Sequence, residues 1–162
     1  MIQLNHTYRF IIDNVAFGDI PKKECYKLLK DGRLSSHFLE RQLEIWFPEL
    51  TFVDGRGHDH IDESGQKYDQ KCFTKGGLGF APSKMGGVGR VFVQEEAHEH
   101  AKEIIYIACD ITEFPNLLVR FERGSDLLVK YPRCQVPYKH RLEFFEINAW
   151  LLVSKMLKYG IN

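Results

Sequence analysis

The stretch Ile104-Ile105-Tyr106-Ile107-Ala108-Cys109-Asp110-Ile111 constrains the fold more than any other part of the sequence. It is short, apolar and rich in β-branched residues, which is the pattern of a buried strand. Other elements must cover such a strand, and the sequence supplies them. Residues 94–103 (QEEAHEHAKE), just before it, read as a polar helix. Residues 21–31 (PKKECYKLLKD) read as a short helix, with Pro21 in its first turn and Gly32 past its end. Residues 34–46 carry Leu34, Phe38, Leu39, Leu43 and Trp46 in one helical stripe that Pro48 stops. LTFV at 50–53, HDHI at 58–61 and QKYDQKCF at 66–73 read as short strands, punctuated by Gly55, Gly57 and Gly65. Residues 75–90 form a loop with six glycines and Pro82. LLVRFE (117–122) and LLVKY (127–131) are expected to pair as a hairpin or edge strands around Gly124. Residues 142–158 close the chain as a helix with Phe145, Trp150, Leu151 and Leu157 facing inward. The fold expected is α/β, a central mixed sheet flanked by helices, as one domain over residues 1–162.

Composition narrows the function classes. A chain of 162 residues with 44% hydrophobic and 27% charged residues excludes disordered, collagen-like and disulfide-stapled classes. No apolar run approaches the roughly 20 residues of a membrane helix. The N-terminal MIQLNHTYRFIIDN lacks the charged-then-apolar layout of a signal peptide, so a cytoplasmic protein with no membrane association is expected. Lys+Arg and Asp+Glu both total 22, so contact with a polyanion must come from local clustering. Cys25, Cys72, Cys109 and Cys134 are scattered with no C-x-x-C pair, which fits reduced thiols in packing roles and argues against structural zinc.

The stretch GHDHIDESGQKYDQK, residues 57–71, carries the chemistry. Read as two strands joined by a turn at Glu63–Gly65, it alternates side chains between faces. Asp69 and Lys71 then share a face, Tyr68 and Gln70 point the other way, and Asp59 comes alongside Asp69 across the ladder. Two adjacent carboxylates resist joint ionisation unless a cation sits between them. Oxygen ligation with open water positions suits Mg²⁺. Such an ion polarises a phosphoryl oxygen and activates water, and a lysine beside it stabilises developing negative charge. These are the parts needed to hydrolyse a phosphodiester.

The spacing D-x(9)-D-x-K at Asp59, Asp69 and Lys71 resembles the PD-(D/E)xK nuclease motif. Gly57, Asp59, Asp62, Gly65, Gln66, Tyr68 and Lys71 are similar to the corresponding block of small type II restriction endonucleases of the PvuII kind. DGRLSSHFLE (31–40) and KCFTKGG…PSKMGGVGR (71–90) also resemble restriction-endonuclease segments, and the specific part covers about a third of the chain. Two positions depart from the pattern: His58 stands where the motif name has proline, and Asp69 replaces the glutamate of the PvuII kind. The resemblance implies a restriction-endonuclease-like fold and a Mg²⁺-dependent, sequence-specific endonuclease of double-stranded DNA, leaving 5′-phosphate and 3′-hydroxyl ends. It implies metal binding by Asp59 and Asp69, with a backbone carbonyl near Gln70 or Cys72, charge stabilisation or water orientation by Lys71, and an approach of Glu40 to the metal site from the first core helix. A homodimer on a two-fold-symmetric site is expected. A structure-specific nuclease of the junction-resolving or repair type, the small strand-cleaving subunit of a heterodimeric restriction enzyme, and a DNA-binding module with a decayed site remain as alternatives.

Other readings weigh less. In a strand, His58 and His60 would face away from Asp59, and His98 and His100 do not share a helix face, so a zinc hydrolase is disfavoured. The glycines at 86–89 lack the G-K-[ST] ending of a phosphate loop. Basic residues do cluster. No acid lies between Lys71 and Gln94, where Lys71, Lys75, Lys84 and Arg90 fall, nor between Leu127 and Leu142, where Lys130, Arg133, Lys139, His140 and Arg141 fall. This predicts a one-sided positive surface that neutralises phosphates. Lys75, Ser83, Lys84, Arg90, His58, Lys139 and Arg141 are the expected DNA contacts.

Overall fold

The computed structural model describes residues 1–54, 57–85 and 89–147. Its centre is a parallel pair, β4 (Lys67–Phe73) beside β6 (Ile104–Asp110), with Lys67 opposite Ile104 and Phe73 opposite Asp110. A parallel pair needs a long crossover. Residues 74–103 provide it and contain α3 (Gln94–Lys102). Antiparallel strands extend the sheet on both sides. β7 (Asn116–Arg123) pairs with β6 and β1 (Thr7–Ile11) with β7, while β3 (His60–Ile61) pairs with β4 and β2 (Thr51–Phe52) with β3. The order is β1-β7-β6-β4-β3-β2. A separate two-stranded piece joins β5 (Leu78–Gly79) to β8 (Gln135–Val136). Every residue of β6 except Ile105 is buried, so the run from which the fold was read is indeed an interior strand.

The pleat divides the core in two. On one face Tyr68, Cys72, Ile107 and Cys109 meet Leu39 and Leu43 of α2 (Gly32–Trp46). Asp31 caps this helix, its carboxylate accepting from the Arg33 amide at 2.9 Å. On the other face Phe73, Tyr106 and Ala108 meet Ala97 and Ala101 of α3, Leu127 of α4 (Gly124–Lys130) and the Phe144–Phe145 pair. The architecture is therefore mixed α/β, a mixed sheet with helices on both faces. Among the described residues no helix is long and apolar enough to cross a membrane.

Three expectations differ from the structure, and one strand was not expected. LLVKY is not a strand but the body of α4. The three adjacent apolar residues Leu127, Leu128 and Val129 mimic a strand, yet Leu127 and Tyr131 are the buried pair, at helical i, i+4 spacing, and Val129 is 88% exposed. Gly32, read as a helix stop, is the first residue of α2, behind the short α1 (Lys22–Leu28). Within the described part of the expected closing helix, α5 spans Arg141–Phe144 and is interrupted at Glu146, which takes a left-handed φ of 50°; residues 148–158 of that expectation lie outside the described residues. Trp150, Leu151 and Leu157 lie outside the described residues. The strand β1, with its half-buried positions at Thr7, Tyr8 and Phe10, was not anticipated from the sequence.

Candidate active site

The antiparallel register His60 to Tyr68, continued by one residue, sets Asp59 beside Asp69. Asp59 has left the regular strand but is held firmly. Its amide donates to the Tyr68 carbonyl at 2.9 Å, and its carbonyl accepts from Val53 at 2.9 Å. Its carboxylate Oδ2 accepts from the Gln70 amide at 2.7 Å. Asp69 points to the same side as Phe73, with a side chain only 7% exposed. Lys71, two residues on, donates to Asp69 Oδ1 at 2.7 Å. Burial pushes the Asp69 carboxyl up to about 7; the Lys71 ammonium opposes that shift and the Asp59 charge adds to it.

Asp59 and Asp69 open on a cleft of about 930 Å³. One wall is residues 57–59, where Gly57 takes a φ of +99° that favours glycine. Pro82, Ser83 and Lys84 form a second wall. The third is α3. Ala97 and Ala101 bury its inner face, and Glu95, Glu96, Glu99 and His100 line the cleft. The ion pairs Lys84–Glu96 and Lys102–Glu99, both at 2.6 Å, tie down two of these acids. The His100 pKa is lowered by burial and then by the Lys71 charge. This acidic wall was missed in the sequence. The small residues Ala97 and Ala101, one turn apart, were the signal that the helix packs closely and presents its charged side.

The remaining candidates fall in several places. Glu40 lies behind β4, not on the cleft side. The Ser36 hydroxyl donates to Glu40 Oε1 at 3.1 Å and sits 3.0 Å from Gln70 Oε1, on the strand face opposite Asp69. This corrects the expected approach of Glu40 to the metal site, because α2 packs on the Tyr68–Cys72 face. His60 is buried on the same side, its Nε2 2.8 Å from the Glu40 carbonyl. His58 precedes the strand and lines the cleft together with Asp59, so strand alternation does not separate them. Lys75 and Lys139 are exposed, in the turn after β4 and in the 3₁₀ turn Tyr138–His140. Ser83 is on the cleft wall, and the Arg90 guanidinium donates to its carbonyl. Arg141 departs from its expected DNA contact. It is 9% exposed and bonded to Asp110 at 2.6 Å and Glu113 at 3.0 Å, which anchors the terminal segment to the end of β6. Acids distant in sequence thus pair with Lys84, Lys130 and Arg141. Of the two acid-free stretches, Lys75, Arg133 and Lys139 are exposed and form no ion pair among the described residues.

Among the described residues no group of three or more His, Cys, Asp or Glu side chains converges as a metal cage. Two adjacent carboxylates with open space before them fit a hard cation that keeps several waters, and they do not fit tetrahedral zinc. Compared with known proteins, the chain matches no family model, no curated protein and no solved structure.

Proposed function

We propose that this chain is a Mg²⁺-dependent endonuclease of double-stranded DNA with a PD-(D/E)xK-like core, acting as a cytoplasmic homodimer and reading a specific sequence. One observation carries the reading: Asp59, just before β3, stands beside Asp69 of β4, with Lys71 on the same face 2.7 Å from Asp69. A structural surface hairpin has no reason to bury a carboxylate next to another one.

When bound, Mg²⁺ supplies Lewis acidity to the phosphodiester and acidifies water. Asp59 and Asp69 would hold it, and a backbone carbonyl near Gln70 or Cys72 is a further candidate ligand. The Gln70 amide fixes the Asp59 carboxylate against the middle of β4. A cation held there would offset the repulsion between the Asp59 and Asp69 carboxylates, and Lys71, 2.7 Å from Asp69, stands beside the same site. Lys71 then stabilises charge growing on the phosphoryl oxygens, or orients the attacking water. Cleavage on the 3′-oxygen side of phosphorus leaves 5′-phosphate and 3′-hydroxyl ends. Lys75, Arg133 and Lys139 are exposed cations suited to the phosphate backbone.

Digestion of plasmid DNA in Mg²⁺ tests the proposal. Discrete fragments support it, and an intact plasmid in both Mg²⁺ and Mn²⁺ counts against it. A second reading, cleavage by DNA shape, is favoured by the engagement of the two expected base-reading side chains: Lys84 with Glu96 and Arg90 with the Ser83 carbonyl. Cutting confined to branched DNA would select it.

A further inference from the structure

Tyr106 is wholly buried in β6, directly opposite Asp69 in the parallel ladder and on the same face of the sheet. Its ring packs against Phe80 at 5.3 Å between centroids. Gly124 closes in from α4, where an added Cβ would come within 2.9 Å of Tyr106 Cε2. The ring therefore has one place to sit. Its hydroxyl is buried and has no hydrogen-bond partner among the described residues. In a purely apolar pocket phenylalanine would fill the same space without stranding a polar group.

The polar group nearest along the ladder is Asp69, and its charge acts on the Tyr106 hydroxyl. A carboxylate accepts up to about four hydrogen bonds, and Lys71 supplies one to Asp69. Neighbouring strands lie about 4.8 Å apart, and a tyrosine reaches well past an aspartate, so the two groups are spaced for a bridge and not for direct contact. A buried water needs two to four polar partners. Tyr106, Asp69 and Lys71 offer that number. A second orphaned atom, His100 Nε2, lies on α3 within the field of Lys71, so the inner wall of the site is polar on two sides.

We propose that Tyr106 is a positioning residue for the site: its hydroxyl donates to a buried water that in turn donates to the Asp69 carboxylate and fixes its orientation beside Asp59. The consequence for metal binding rests on the nuclease reading, whereas the contact itself does not.

A double-mutant cycle on the metal-free full chain tests the contact. Tyr106→Phe, isosteric apart from the hydroxyl, is made in the natural chain and in Asp69→Ala, and thermal midpoints are compared. The bridge predicts a drop of about 2–4 °C in the natural background and no drop in Asp69→Ala. An equal rise in both backgrounds means that the hydroxyl is simply stranded and overturns the proposal. Mn²⁺ affinity, read by electron paramagnetic resonance, tests the positioning role. Tyr106→Phe should weaken it about tenfold, an effect that packing alone would not produce. Equal Mn²⁺ affinity in the two proteins overturns the inference and leaves the nuclease reading standing. Failure of the natural chain to bind Mn²⁺ overturns the metal site, and the positioning role with it.

Discussion

A carboxyl group held at about pH 7 by burial, as Asp69 is, costs the fold stability whenever it ionises. In the unfolded chain it loses its proton near the ordinary value of 3.8. Between about pH 4 and 7 the folded state thus binds more protons than the unfolded state, and stability falls as pH rises through that window. Asp69→Asn removes the ionisation. Its thermal midpoint without metal should exceed that of the natural chain at pH 8, by up to a few kcal/mol in stability, and the gain should shrink at pH 5. A variant less stable at pH 8 than at pH 5, relative to the natural chain, would show that the Lys71 ion pair outweighs the burial cost. The same variant should lose DNA cleavage by several orders of magnitude, since each 1.36 kcal/mol of lost transition-state stabilisation is about tenfold. Asp59→Ala and Lys71→Ala should lose comparable activity in the same cleavage assay. These three residues were legible in the sequence because strand alternation alone puts Asp69 and Lys71 on one side. The fate of Glu40 was not, since its helix gives no sign of which sheet face it will cover.

At the scale of elements, the site depends on how closely α3 is pressed to the sheet. Gly124 is where α4 meets α3, and a Cβ there would stand 1.9 Å from the Ala101 carbonyl oxygen. Backbone, not a flexible side chain, blocks it. Gly124→Ala should therefore destabilise by about 3 kcal/mol, some 6–12 °C in thermal midpoint, and should also lower cleavage by displacing α3. The glycine was visible in the sequence, but it was read as a hairpin turn. The helical signal in α4 is only the pair Leu127 and Tyr131, weaker than three adjacent apolar residues. The 3₁₀ turn Ser83–Met85 is tied to α3 from the other side by Lys84 and Glu96, both more than half exposed. An exposed pair is worth little stability. Glu96→Gln should leave the thermal midpoint within a degree or two, yet it removes an acid from the cleft and frees Lys84 for phosphate. Affinity for an arbitrary duplex should rise severalfold, with a steeper salt dependence. Unchanged affinity would place DNA away from this wall.

For the whole molecule, the topology concentrates charge at one place. β4 and β6 share the centre, and two apolar clusters cover their faces, so a carboxylate near them needs a polar partner or the cleft. Asp110 finds Arg141, and Glu122 finds Arg120. Asp59, Asp69, Glu95, Glu96 and Glu99 share the cleft with Lys84, the one lysine or arginine among the described residues lining it, and Lys71 stands beside Asp69. Such a surface repels a phosphodiester unless a divalent ion compensates. DNA binding at moderate salt should therefore be weak in EDTA and strengthened by Ca²⁺, which oxygen ligands at an open site accept. Cleavage should follow Mg²⁺ or Mn²⁺ and be nearly absent with Ca²⁺, a larger ion and a poorer Lewis acid. The check is one duplex measured for retention and for cutting in each of the four conditions. Equal retention in EDTA and Ca²⁺ would mean that the exposed cations Lys75, Arg133 and Lys139 carry the DNA without help from the cleft. Full cutting in EDTA would remove the metal from the chemistry, and the pairing of Asp59 with Asp69 would then need another cause.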